Sequence, residues 1–165
     1  MYNHMKQVLF YWASSFIIAI LSYYLLWLVL PGHKVFASWY RMINYHMEYP
    51  LAFIAIPCFF YGIIATLFNK SFLQSHLKKR LMTNSFIILL VVYLSAPIGG
   101  MLWHFFDMKT GYFPRNWPYK LLVQGSADGL RVGWLIIVLS IPYNLLGIAI
   151  SYALTKKGCD LFDKK

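Results

Sequence analysis

Charge is scarce in this chain. Only 12% of its 165 residues are charged, and only five are acidic. No Lys, Arg, Asp or Glu falls within four long apolar stretches, residues 8–30, 51–68, 85–106 and 132–154. A proton-driven pump or a voltage sensor needs charge at depth, so the pattern argues against both. Cysteine is scarcer still, with two residues in all. Cys58 lies within the second stretch and Cys159 lies beyond the fourth. They are too far apart in depth to pair, and a thiol oxidoreductase of the membrane would want paired cysteines at its outer face. A free thiol is the reading for Cys159. No His-x-x-x-His, His-Glu-x-x-His or Cys-x-x-Cys occurs, so no metal site and no cofactor are expected. Linkers, trusted repeats and low-complexity tracts are also missing, which leaves one domain over 1–165.

What the chain has is apolar mass. Hydrophobic residues make up 60% of it, and the mean hydropathy is +0.57. About 20 apolar residues, rising about 1.5 Å each, cross a hydrocarbon core of roughly 30 Å. Only helices or closed barrels satisfy the backbone in lipid. Barrel strands would be short and alternating, which these stretches are not. The expected fold is therefore an all-α integral membrane protein, with four transmembrane helices over 8–30, 51–68, 85–106 and 132–154 in a compact bundle. Lys6 precedes the first stretch and Pro31-Gly32 follows it, and Val35-Phe36-Ala37 resembles a small-residue cleavage site. Its 23 residues are too long for an ordinary signal segment, so it reads as an uncleaved first helix.

An even number of spans places both termini on one side. That side holds Lys6, Lys70, Lys78, Lys79, Arg80, Lys156, Lys157, Lys164 and Lys165. The other holds the smaller set Lys34, Arg41, Lys109, Arg115, Lys120 and Arg131. The positive-inside rule then puts the termini in the cytoplasm of a multi-pass protein of the cell membrane. The formal net charge of +10 lies in short loops beside spans. It reads as topology signal and as contact with anionic lipid headgroups rather than with nucleic acid.

The loops are amphipathic. Phe36, Tyr40, Ile43 and Met47 recur at helical spacing, with Lys34, Ser38, Arg41 and Glu48 mostly elsewhere on the wheel. This predicts an interfacial helix over about 35–47. Leu73, Leu77 and Leu81, beside His76, Lys78, Lys79 and Arg80, read as the ends of spans two and three. The third connection, 107–130, is the longest and shows no obvious helix. Its Pro114 and Pro118 favour extended or turn backbone, and Ser126 or Asp128 is placed to cap the fourth span. This loop is the first choice for a recognition surface.

Each span also carries a small or polar stripe. The stripes are Ser15, Ala19 and Ser22; Ala55, Cys58, Gly62 and Ala65; Tyr93, Pro97, Gly100, His104 and Asp107; and Gly133, Ser140, Asn144, Gly147 and Ser151. Helices in lipid associate over small residues and interhelical hydrogen bonds, so these faces form the expected interior. Bulky Leu, Ile, Phe and Trp are expected to face lipid. Pro57, Pro97 and Pro142 interrupt three of the spans.

The candidates for chemistry are few. His104 lies near the outer end of its span, with Asp107 three residues on along the same face. A carboxylate orienting an imidazole is the arrangement a general base uses, which makes His104 and Asp107 the catalytic candidates. Arg115, Trp117, Lys120, Asp128, Arg131 and Asn144 are the binding candidates. Three functions remain open. The first is a protein that acts by binding, as an accessory subunit, sensor or immunity- or defence-type component, with a membrane-protein partner or a second copy. The next is an enzyme on a lipid or lipid-linked substrate, with His104 as base and Arg131 or Arg115 holding a phosphate. The last is a subunit of an oligomeric pore or transporter lined by Asn144.

Overall fold

The computed structural model describes residues 2–29, 50–111, 119–139 and 141–162. Every element among them is helical: α1 (Tyr2–Val29), α2 (Pro50–Leu73), α3 (Leu77–Lys109), a π-helical segment (Lys120–Gly125), α4 (Ser126–Leu139) and α5 (Ile141–Phe162). Three stretches among the described residues are long and apolar enough to cross a membrane: His4–Leu25, Ile54–Leu73 and Leu77–Lys109. The expected interfacial helix over 35–47 lies outside the described residues.

Local chemistry sets several boundaries. Arg80 closes the turn between α2 and α3. Its Nη2 donates to the Leu73 carbonyl at 2.9 Å, and its guanidinium lies 5.7 Å from the centre of the Phe72 ring. Gly111 ends α3 in the left-handed region, at φ 83°, where glycine has no Cβ to oppose it. The Thr110 N–H and hydroxyl both reach the Phe106 carbonyl, at 2.9 and 3.0 Å.

The core lies where α1, α2, α3 and α5 meet. Tyr11, Tyr61, Ile64, Ala65, Ile87, Val91 and Leu154 form its buried cluster. Phe72 and Ile87 are fully enclosed, which corrects the expectation that bulky residues face lipid. The small stripes line the interior only in part. Cys58, Gly62, Ala65, Gly100 and Ser151 are buried, whereas Tyr93 and Gly147 are exposed. A tyrosine fills the gap between helices as well as a glycine does once its hydroxyl has a partner.

Along α3, Asn84 bonds Ile148 and Ser151 of α5, Ala96 meets Gly133 of α4, and His104 meets Asp128. Rising numbers on α3 meet falling numbers on α4 and α5, so these two helices run antiparallel to it in succession. The contact moves round α3 as it climbs. From Asn84 to Gly100 the sixteen positions turn the face by roughly 160°, at about 100° per residue. The expected fourth span, 132–154, falls on α4 and α5, which are separated only by residue 140, outside the described residues.

The expected loop over 107–130 is also corrected at both ends. Residues 107–109 complete α3, and helix resumes at Lys120. Leu121 and Gly125 are buried in the π segment, and that burial holds a helix which the flanking prolines gave no reason to expect. Ser126 does not cap α4. Its hydroxyl donates backwards, to the carbonyls of Leu122 and Val123, inside a continuous π-to-α helix.

Candidate functional site

Two polar constellations stand out, one in each half of the bundle. The first surrounds Tyr11 and Tyr61. The Tyr11 hydroxyl lies 2.8 Å from Asn69 Oδ1 and 3.2 Å from the Thr155 carbonyl. Tyr61 donates to the Ser151 carbonyl at 3.0 Å and shares a 2.8 Å bond with Thr155 Oγ1. Asn84 Nδ2 donates to the Ile148 carbonyl and to Ser151 Oγ, both at 3.0 Å. The Cys159 thiol lies 2.6 Å from Asn69 Oδ1. Apart from Ile148, these residues are buried, and both cysteines are free thiols. Four helices are thus tied by side chains whose polar atoms satisfy one another. In a low-dielectric interior an unpaired polar group is costly, and a fully paired network rigidifies.

The second constellation lies on the seam between α3 and α4, and glycine builds it. A Cβ on Gly100 would meet the Gly125 carbonyl and sit 2.6 Å from the Gly129 nitrogen. One on Gly129 would meet the Ala96 carbonyl, and one on Gly133 would lie 2.8 Å from the Ala96 Cβ. Backbone therefore lies on backbone. The close approach brings His104, one turn beyond Gly100, to Asp128, the neighbour of Gly129. His104 Nε2 lies 3.2 Å from Asp128 Oδ2, and Arg131 Nη1 lies 3.5 Å from Asp128 Oδ1. Asp128 meets His104 and Arg131 with its separate oxygens. In the tautomer that donates from Nε2, Nδ1 is the basic nitrogen of His104. The imidazole is mostly enclosed, whereas the Arg131 side chain is 81% exposed.

The candidates from the sequence are distributed as follows. His104, Asp128 and Arg131 come together. Asp107 lies on α3 three residues beyond His104 and is half-buried. Lys120 opens the π segment. Arg115 and Trp117 lie outside the described residues. Asn144 belongs to α5, and its side chain lies outside what is described. Among the described residues no group of three or more His, Cys, Asp or Glu side chains is placed to hold a metal ion.

Sequence reasoning missed the first constellation almost entirely. Only Ser151 stood on a stripe. Asn69, Asn84 and Thr155 each fall one residue outside an apolar stretch, next to Phe68, Ser85 and Leu154. Tyr11 and Tyr61 lie inside stretches and read as apolar bulk. The available signal was the recurrence of amides at the margins of helices that must pack. No family model, no curated protein and no solved structure matches this chain.

Proposed function

We propose that this chain is a small multi-pass membrane protein that acts by binding, as an accessory, sensing or immunity-type component beside a membrane-protein partner or a second copy. The observation that carries this reading is how the interior polar groups are used. Tyr11, Tyr61, Asn69, Asn84, Ser151 and Thr155 bond to one another or to nearby carbonyls, so the core is a joint rather than a polar path for a solute. Four crossings fit the antiparallel course of α4 and α5 along α3, and the lysine-rich side then carries both termini in the cytoplasm. Anionic lipid headgroups face the exposed lysines. Native mass spectrometry of the protein released gently from its own membrane tests the reading. A stoichiometric protein partner or a defined homo-oligomer is the expected result. A lone chain that turns over a substrate would sink it.

A second reading rests on the 3.2 Å contact between His104 and Asp128. An enzyme acting on a lipid or lipid-linked substrate would use His104 as base, with Asp128 orienting it and Arg131 holding a phosphate. Asp107 keeps its candidacy from the sequence as the alternative carboxylate. If His104→Ala leaves every cellular phenotype intact, the enzymatic reading fails.

A further inference from the structure

Charge is divided unevenly between the two ends of the bundle. At the seam end Arg131 meets Asp128, and Asp107 lies within a turn of His104 and Lys109. At the tyrosine end Lys70, Lys78, Lys79, Lys156 and Lys157 are all exposed, and among the described residues Asp160 is the one carboxylate there. Arg80 already holds the Leu73 carbonyl, and Lys6 has a contact of its own. None of the five exposed lysines enters an ion pair among the described residues.

The core contacts set these five lysines at one depth. Asn84 on α3 meets Ser151 on α5 at 3.0 Å, and the two helices run antiparallel. Five and six residues from that contact, toward the same end, stand Lys79 and Lys78 on α3 and Lys156 and Lys157 on α5. At about 1.5 Å per residue, both pairs lie about 7.5–9 Å beyond the bond. Lys70 follows Asn69, which meets Cys159, two residues past Lys157. It therefore falls within about a turn of the same level. Exposed apolar side chains are interleaved with the lysines along the helices: Leu67 is 74% exposed, Leu77 64% and Met82 65%.

We propose that this collar of lysines binds the headgroups of anionic phospholipids and selects them over zwitterionic ones. The proposal rests on the membrane reading above and names the partner at one end of the bundle. Cations carried at one depth by three helices match a plane of headgroups better than a strand laid along a groove. Lysine stems lie on apolar surface while their ammonium groups stay at the polar boundary. A phospholipid supplies both a negative headgroup and acyl chains for Leu67, Leu77 and Met82. A nucleic acid or a soluble acidic protein would leave those side chains in water. The first turn of α3 adds to the demand for an anion. It carries Lys78, Lys79 and Arg80 and no acidic residue, so its cations sit at the positive end of the helix dipole.

The test is native mass spectrometry of the full chain in mild detergent, offered equal amounts of phosphatidylglycerol and phosphatidylcholine. The wild type retains phosphatidylglycerol in preference. Changing Lys78, Lys79, Lys156 and Lys157 together to glutamine lowers that preference by at least about tenfold. Changing the same four to arginine keeps it, and so does Lys109→Gln at the seam end. Equal retention of the two lipids by the wild type overturns the proposal, as does a preference that survives the glutamine variant. Inorganic phosphate that displaces phosphatidylglycerol, where chloride at equal ionic strength does not, would also overturn it and assign the collar to a free anion. Alkaline extraction separates the two levels of the argument. A chain washed out of its membrane defeats the membrane reading, whereas one that stays embedded without lipid preference defeats only the collar.

Discussion

The tyrosine half and the glycine half of this molecule solve one problem by opposite means. In the membrane proposed for this chain, lipid offers no hydrophobic reward for bringing helices together, so contact must come from packing or from hydrogen bonds. Around Tyr11 and Tyr61, large side chains reach across the gap and their polar ends bond to α2, α3 and α5. Between α3 and α4, side chains are removed until Gly100 and Gly129 touch through their backbones. The first solution ties four helices into one body. The second ties only two, because backbone contact reaches no further than the adjacent helix. The half with fewer restraints also holds the polar cluster of His104, Asp128 and Arg131.

The glycine half is the more easily broken. In Gly129→Val the added atoms overlap the Ala96 carbonyl, and backbone has no rotamer through which to yield. Overpacking typically costs about 1–3 kcal/mol, and a backbone clash belongs at or beyond the upper end. α4 should leave α3, and the thermal unfolding midpoint in a single detergent should fall well below that of the wild type. A variant that melts with the wild type would show that the seam is not close-packed.

Breaking the tyrosine half should cost less per substitution. Asn84→Ala removes the donor to Ile148 and Ser151, and its cost is about 1–3 kcal/mol for buried groups left unpaired. Tyr11→Phe removes one hydroxyl and keeps the ring, so about 1 kcal/mol is expected. Thermal unfolding in a single detergent reads both. If Tyr11→Phe proves as damaging as Gly129→Val, the contrast between the halves is wrong, and the tyrosine network acts as one unit.

The fold was legible in the sequence where hydrophobicity alone decides, and obscure where partners decide. Uncharged runs located α1, α2 and α3 to within a few residues or a turn or two. The fourth run falls on α4 and α5, but the contacts these helices make along α3 are encoded in no local pattern. The loop over 107–130 hid a helix because Leu121 and Gly125 gain their burial from α3. At the candidate site, placement near a helix end singled out His104, Asp107, Asp128 and Arg131, but not the contact between His104 and Asp128. Position i+3 on the same helix is visible in sequence. A partner on the next helix, delivered by two facing glycines, is not.

The smallest effects sharpen the comparison by their sign. Gly147 lies in α5 on the core-facing stripe but in open space. Gly147→Ala should therefore stabilise, by about 0.5–1 kcal/mol, because alanine has less backbone freedom to lose in a helix. The same substitution at Gly100 should destabilise, since any Cβ there meets the Gly125 carbonyl.

His104→Ala completes the series. Its partner Asp128 is about half exposed, so solvent screens the pair, and its loss should cost no more than about 1 kcal/mol. Asp128 keeps Arg131 as a neighbour, so the variant leaves no buried charge stranded. A melting temperature near that of the wild type, combined with loss of a cellular phenotype, would mark the pair as functional. A large fall in stability would instead make His104 a structural pin of the seam. The glycine half would then be held by an ion pair as much as by backbone contact, and the division between the two halves would have to be redrawn.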